Sequence, residues 1–141
     1  MFMYVFSIVL IVISNILYNI CQKSTPKEAN PFAALFITYL VAGILTLAVF
    51  FLSRSGKTLF QSFKGLNWTS LVLGASIVGL EFGYIMAFRA GWNISVGSLV
   101  ANILLAIALI PIGVFLYNEG FGLNKVLGAI LCIAGLILIN K

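Results

Sequence analysis

Five long apolar stretches, separated by short polar segments, run along this chain. They cover residues 2–22, 31–53, 68–90, 94–117 and 123–140. Each stretch is close to the length of about 20 apolar residues that a helix needs to cross the hydrocarbon core of a bilayer. The pattern therefore predicts an all-α integral membrane protein with five transmembrane helices, in which residues 1–141 form a single membrane domain.

The polar segments carry signals for where helices stop and start. Pro26 interrupts the segment KSTPKEAN, and Asn30 followed by Pro31 is a strong signal for the start of the second helix. Asn93 is a candidate cap for the fourth helix. Trp68 marks the expected boundary with the lipid headgroups at the start of the third helix, because indole rings favour that interface.

The first stretch is polar along one side of its C-terminal half. Asn15, Tyr18, Asn19 and Gln22 follow the i, i+3, i+4, i+7 spacing that places side chains on one face of a helix. Lipid penalises such a polar face, so we expect it to contact protein or water. Asn102 continues the polar pattern in the fourth stretch.

The third stretch contains one carboxylate, Glu81, in the segment ASIVGLEFGYIMAFRAG. An ionisable group at the centre of a membrane helix costs at least about 2.5 kcal/mol on insertion scales, so it is a functional-site hypothesis by default. Tyr84 shares the helical face of Glu81. A glutamate that only packs between helices is the alternative interpretation.

Small residues recur every four positions in the same stretch. They are Ala75, Gly79, Gly83, Ala87 and Gly91, and they form a ridge along which another helix can approach closely. The ridge residues Gly79 and Gly83 are two positions from Glu81, about 200° around the helix, so we expect the carboxylate to point away from them. Gly128 and Gly135 predict a similar packing face on the last helix. Tyr39, among the small and polar residues of the second stretch, is interpreted as an interhelical packing residue, with ligand contact as the alternative.

Composition and charge narrow the function. The sequence is 62% hydrophobic and 8% charged, which excludes a soluble domain. Its net charge of +5 comes from basic residues scattered at segment ends rather than on one basic face, so no nucleic-acid partner is expected. Two cysteines without histidine indicate no metal site. We find no nucleotide-binding loop or catalytic triad, and predict no cofactor and no enzyme activity.

The basic residues give no preferred orientation in the membrane. With five crossings, one side carries Arg54, Lys57, Lys64 and Lys125, and the other carries Lys23, Lys27, Arg89 and Lys141. The rule that positive residues stay inside has nothing to act on when the sides are equal. We therefore predict insertion in both orientations and an antiparallel homodimer, a ten-helix bundle with the inverted repeats found in many secondary transporters.

The C-terminal half resembles the EamA-type domain of the drug/metabolite transporter superfamily. The resemblance rests on Pro111, the turn Asn118-Glu119-Gly120, the helix start Leu123-Asn124, Gly128 and Gly135. It implies one EamA-like five-span repeat, half of the larger members, which look like two such repeats fused in inverted tandem. It also implies an inverted dimer, as in the related small multidrug resistance proteins.

The sequence departs from these relatives at two places. The small multidrug resistance proteins have four spans and carry an essential glutamate in the first, where this chain has Asn15, Tyr18 and Asn19. The role of that glutamate therefore does not pass to Glu81 by alignment. Full-length relatives often have a basic residue in the second span, and here Tyr39 stands in that region.

We expect a secondary transporter for a small organic solute, a cationic or zwitterionic metabolite or drug, that works by alternating access and is proton-coupled through Glu81. Tyr18, Tyr84 and Trp92 offer aromatic contacts to a cation. The side chains of Asn15, Asn19 and Asn102 offer hydrogen bonds. The lipid bilayer is the expected surrounding, as a multi-pass protein of the cell membrane, specifically a prokaryotic inner or plasma membrane.

Alternatives remain for one residue and for the whole protein. Arg89 either extends to the headgroups, or binds an anionic substrate, or balances Glu81 of a second copy. The protein as a whole could instead be a non-transporting assembly or scaffold subunit, or a subunit of a lipid-linked-sugar flippase. Activity of the purified chain alone would favour the transporter, and dependence on a different chain would favour the alternatives.

Overall fold

The computed structural model describes residues 2–53, 56, 58–118, 120 and 122–139, except for the side chains of Phe2 and Lys125. This described part is helical and contains no strand. The helices are α1 (Phe2–Ser24), α2 (Pro31–Leu52), α3 (Leu59–Phe63), α4 (Trp68–Arg89), α5 (Ile94–Tyr117) and α6 (Leu123–Ile139). Glu119 in the predicted turn, and the end of the last predicted span at Asn140, lie outside the described residues.

The five long helices follow the predicted stretches to within two residues at the described ends. Asn30 caps α2, since its Oδ1 accepts hydrogen bonds from the backbone amides of Phe32 at 2.9 Å and Ala33 at 3.4 Å. Asn93 occupies the cap position of α5, but its side chain makes no capping bond. The polar boundary residues therefore locate the helices, although only some of them act through their side chains.

Four of these helices are long and apolar enough to cross a membrane. They are α1 from Met3 onward, α2, α4 and α5. The fifth, α6, has 17 described residues and is shorter than the usual span of about 20. Large apolar side chains are exposed along all of them, as expected for surfaces that face lipid tails rather than water. The chain is a multi-pass membrane protein, and its fifth crossing stays a prediction.

The chain divides into two compact units, Met1–Ala90 and Gly91–Lys141. In the first unit, α4 packs against both α1 and α2. The ring of Tyr84 on α4 meets Tyr18 of α1 edge to face, with centroids 5.6 Å apart. On the other side, Phe82 stacks on Phe32 of α2, with centroids 5.1 Å apart. In the most apolar stretch of α4, 17% of the residues are buried, against 6% in the corresponding stretch of each other candidate span. The most buried helix of this unit is therefore α4.

In the second unit, α5 packs against α6. Pro111 lies inside α5, where it cannot donate the backbone hydrogen bond of an ordinary helical residue. Asn118 ends the helix in the left-handed conformation, with φ of 51°, and its amide donates to the carbonyl oxygen of Gly113. Asparagine tolerates this conformation better than most residues, which explains its place at the C-terminal cap.

Candidate functional site

Glu81 is buried in the first unit, on the side of α4 that carries Ile85 and Phe88. Its side chain is 8% exposed, and its Oε2 atom is buried without a hydrogen-bond partner among the described residues. Ala75, Gly79 and Gly83 on the same helix are exposed. The carboxylate therefore points away from the small-residue ridge, as its position around the helix predicts.

A cleft of about 390 Å³ opens beside this carboxylate. Polar side chains on its wall include those of Tyr18, Gln22, Thr25 and Thr38, from α1, the turn that follows it and α2. Ala34, Leu35 and Ile85 form an apolar part of the wall. Glu81 is the one charged residue among the described residues that line the cleft. The arrangement is a mostly neutral chamber with a single acidic group, which suits a ligand that brings positive charge.

Tyr18 and Tyr84 form an aromatic pair beside the carboxylate. Their rings meet at 83° with centroids 5.6 Å apart, and Tyr84 also lies 5.8 Å from the ring of Phe88. The Tyr18 hydroxyl is buried, and Gln22 lies beside it, but in a geometry outside that of a hydrogen bond. The structure thus brings together three predicted site residues, Glu81, Tyr18 and Tyr84.

Tyr39 of α2 is a fourth member that its sequence position did not reveal. Its hydroxyl is buried without a hydrogen-bond partner among the described residues, and it interacts electrostatically with Glu81. The sequence placed Tyr39 on a packing face, because the approach of α2 to α4 is a tertiary contact. The available signal was its chemistry: it is the one tyrosine within a span that otherwise carries only small hydroxyl groups as polar side chains.

Asn15 and Asn19 bind each other within α1. The Asn19 amide nitrogen donates to the Asn15 side-chain oxygen at 2.6 Å and to its backbone carbonyl at 2.8 Å. Asn19 is 8% exposed, whereas Asn15 is exposed. Neither residue lines the cleft. Their direct contact with a ligand stays a prediction, while their mutual hydrogen bonds explain how Asn19 is accommodated in the interior.

Arg89 holds the turn between α1 and α2. Its Nη2 donates to the carbonyl oxygens of Pro26 at 2.9 Å and Ala29 at 2.7 Å. The Pro26 carbonyl oxygen also accepts from the Ala29 amide at 3.2 Å, so the arginine adds a second hydrogen bond there and gives the Ala29 carbonyl oxygen a charged donor. The guanidinium is therefore engaged in structure, a role that the sequence did not suggest.

The remaining predicted residues lie elsewhere. Trp92 and Asn102 belong to the second unit, where both are exposed. A Cβ built on Gly79 or Gly83 meets no described atom of the first unit within 4 Å, and the same holds for Gly128 and Gly135 within the second. The small-residue faces are open within each unit, and their packing role stays a prediction. Ala87 is half-buried.

The described residues contain no group of three His, Cys, Asp or Glu side chains that could hold a metal ion. The site as described is therefore a carboxylate with aromatic and hydroxyl neighbours, placed in a helix that is able to cross a membrane. A carboxylate with aromatic neighbours is able to bind a cation or a proton reversibly.

Comparison with protein families matches residues 2–141 to the EamA-like transporter family. Comparison with curated proteins gives no match, and neither does comparison with solved structures. The family match covers nearly the whole chain, including α1, α2 and the cleft around Glu81, whereas the resemblance in the sequence rested on the C-terminal half. Members of this family are membrane transporters rather than enzymes. The chain belongs to the EamA-like transporter family.

Proposed function

We propose that this protein is a secondary transporter in which Glu81 binds either a proton or the positive group of a small organic solute. The observation that carries the proposal is the buried Oε2 atom of Glu81, which has no partner among the described residues and lies beside an open cleft. Family membership supports transport of the drug or metabolite type. The solute, the coupling ion and the transport cycle are parts of the proposal.

The buried carboxylate gives a physical reason for exchange. An ionised carboxylate without a paired charge costs several kcal/mol in a low-dielectric interior. A bound proton and a bound cation each remove this cost, and one carboxylate cannot be neutralised by both at once. Competition at Glu81 would therefore couple the movement of the solute to the movement of protons in the opposite direction.

The tyrosines explain why the solute should be an amine or an ammonium compound. Tyr18 lines the cleft with Glu81, Tyr84 packs on the ring of Tyr18, and Tyr39 interacts electrostatically with Glu81. Ring faces attract organic cations by about 0.5 to 2 kcal/mol, depending on how much water is excluded. The hydroxyl groups of Tyr18 and Tyr39 are able to accept hydrogen bonds from an ammonium group.

An antiparallel homodimer with five crossings in each copy would complete the transporter. Two copies in opposite orientations make the two sides of the membrane equivalent, which is the symmetry that alternating access uses in inverted-repeat transporters. The open ridge at Gly79 and Gly83 supports a close approach by a helix of a second copy. We place this dimer in the cell membrane.

Proteoliposomes test the proposal directly. Purified protein in liposomes with an acidic interior should take up radiolabelled tetramethylammonium or tetraglycine, driven by protons moving outward. Glu81→Gln should abolish this uptake and its dependence on the gradient, because the amide cannot exchange a proton. Glu28→Gln is the matched control, since Glu28 is an exposed carboxylate in the α1–α2 turn and should leave transport unchanged. Gradient-driven uptake that persists in Glu81→Gln would contradict the proposal.

The open ridge also favours a second candidate, a subunit that assembles with a different membrane protein. Exposed small residues at Ala75, Gly79 and Gly83 would suit a foreign helix as well as a second copy. Uptake by the purified chain alone would exclude this candidate as the main function. Uptake that requires a defined second chain in the same liposomes would support it.

A further inference from the structure

A second cleft, of about 270 Å³, adjoins the cleft of Glu81 within the first unit. Gln22, Thr25 and Ile85 line both clefts, so the two clefts lie next to each other at these residues. The second cleft also contacts Phe88 and Arg89, close to the C-terminal end of α4. The pair of clefts therefore extends from the middle of α4 toward its end.

The second cleft is basic. Lys23, Lys27 and Arg89 line it, and none of the described residues on its wall is acidic. The Lys23 ammonium lies 5.5 Å from the centre of the Phe88 ring. Arg89 uses Nη2 on the carbonyls of the α1–α2 turn, while its Nε atom is buried without a partner in the described part of the chain. Three positive charges thus border one small space.

The two clefts together favour a ligand that carries both kinds of charge. A simple cation is attracted by Glu81 and repelled by the lysines, while a simple anion meets the opposite conditions. A ligand with an ammonium group at one end and an anionic group at the other complements both clefts. Glu81 and Arg89 are eight residues apart on α4, which corresponds to about 12 Å along the helix axis.

We propose that the preferred substrate is an extended zwitterion, with its ammonium group at Glu81 and a carboxylate or phosphate at Lys23 and Lys27. The clefts follow α4 from Glu81 to Arg89, about 12 Å of helix axis, and this length sets the scale for the separation of the two charges of the ligand. Gln22 and Thr25, which line both clefts, offer hydrogen bonds to its polar middle. The inference rests on the proposed function, because it uses the same carboxylate.

Glycine peptides of increasing length test the charge spacing. An extended peptide spans at most about 3.3 to 3.6 Å per residue, so three or four glycines are needed to reach both clefts. Each peptide is compared with its C-terminal amide, which keeps the length and the ammonium group but lacks the carboxylate. Binding is measured by calorimetry on the full chain in lipid nanodiscs. We expect tetraglycine to bind about tenfold more tightly than its amide, and diglycine to show no such difference.

Variants connect the difference to the basic cleft. Lys27→Gln should reduce the ratio between tetraglycine and its amide at least threefold. Lys64→Gln is the matched control, because it removes the same charge from an exposed residue that follows α3 and lies outside both clefts. Glu81→Gln should weaken both ligands. Thermal unfolding of each variant without ligand checks that the fold is intact.

The outcomes separate this inference from the proposed function. Equal binding of tetraglycine and its amide overturns the inference, and so does a ratio that Lys23→Gln and Lys27→Gln leave unchanged. Absence of any peptide binding also overturns it. In each case, binding of tetramethylammonium that is lost in Glu81→Gln would leave the proposed cation site standing. Ligand binding of every kind that is independent of Glu81 would contradict the proposed function itself.

Discussion

The guanidinium of Arg89 and the carbonyl oxygen of Ala29 are joined by a hydrogen bond of 2.7 Å. The two residues are 60 positions apart in the chain. Through this bond and a second one to Pro26, the end of α4 fixes the turn between α1 and α2. The three helices that surround Glu81 are therefore tied together at one end, next to the basic cleft.

Removal of the Arg89 guanidinium should destabilise the first unit. Arg89→Gln loses two hydrogen bonds from a charged donor, one of them partly buried, so we expect the free energy of unfolding to fall by about 1 to 2 kcal/mol. Chemical unfolding in mixed micelles, followed by tryptophan fluorescence, measures the change. Lys64→Gln, which removes an exposed charge that makes none of these bonds, should unfold like the wild type. Equal stability of Arg89→Gln and Lys64→Gln would show that the turn does not depend on Arg89.

Loss of the Tyr18 or Tyr39 hydroxyl should affect ligands more than stability. Both hydroxyl groups are buried without a partner in the described part of the chain, so Tyr18→Phe and Tyr39→Phe remove groups whose desolvation is uncompensated. We expect unfolding to change by less than about 0.5 kcal/mol, while binding of tetraglycine, whose ammonium group donates hydrogen bonds, falls several-fold. Tyr117→Phe, at an exposed position, is the control. A stability loss without a binding loss would indicate a purely structural role.

Loss of the Tyr18 ring, unlike loss of its hydroxyl group, should lower the stability of the protein. Tyr18→Leu removes the edge-to-face contact with Tyr84, and aromatic pairs contribute about 0.5 to 1.5 kcal/mol beyond the area that they bury. We therefore expect Tyr18→Leu to be less stable than Tyr18→Phe by about this amount, measured by the same unfolding assay. Equal stability of Tyr18→Leu and Tyr18→Phe would mean that the contact between α1 and α4 rests on other residues.

Much of the helical layout could be predicted from the sequence, and the physical reason is local. Helix α1 ends shortly before Pro26, and α2 begins directly after its cap residue Asn30. These signals act within a few residues of the chain. The face of Glu81 was also predictable, because the angle between residues on one helix depends only on their spacing. Near Glu81, both Tyr18 and Tyr84 lie where the helical faces predict.

The rest of the site depends on contacts between distant segments. Tyr39 approaches Glu81 only because α2 packs on α4, and nothing in the spacing of α2 alone indicates which of its faces does so. Arg89 resembles any basic residue at the end of a span, and its true partners are 60 and 63 residues away. The residues on the polar face of α1 have different surroundings for a similar reason. Tyr18 lines the cleft, whereas Asn15 and Asn19 are joined by a hydrogen bond between their side chains.

Bulky residues on the open ridge should block association without unfolding the chain. A Cβ at Gly79 or Gly83 meets nothing within 4 Å in the first unit, so Gly79→Leu and Gly83→Leu are accommodated and even favour the helix. If a second copy packs along this ridge, the larger side chain prevents its close approach. At concentrations where the wild type is monomeric, we expect the thermal stability of each variant to equal or exceed that of the wild type. The yield of crosslinked dimers should decrease at least fivefold. Gly43→Leu, at an equally open position on α2, is the control and should leave dimers unchanged.

Added lysines should fix the orientation of the chain in the membrane, so that two variants of opposite orientation can be tested alone and together. Glu28→Lys with Asn140→Lys adds basic residues to one predicted side of the membrane, and Ser53→Lys with Ser62→Lys adds them to the other. Because lysine and arginine are retained on the cytoplasmic side, each double variant should insert in one orientation only, which accessibility of tags at both termini would show. A transporter that requires both orientations should lose gradient-driven uptake in either variant alone and regain it when the two are produced together. Full uptake by one variant in a single orientation would show that a parallel or monomeric arrangement is sufficient.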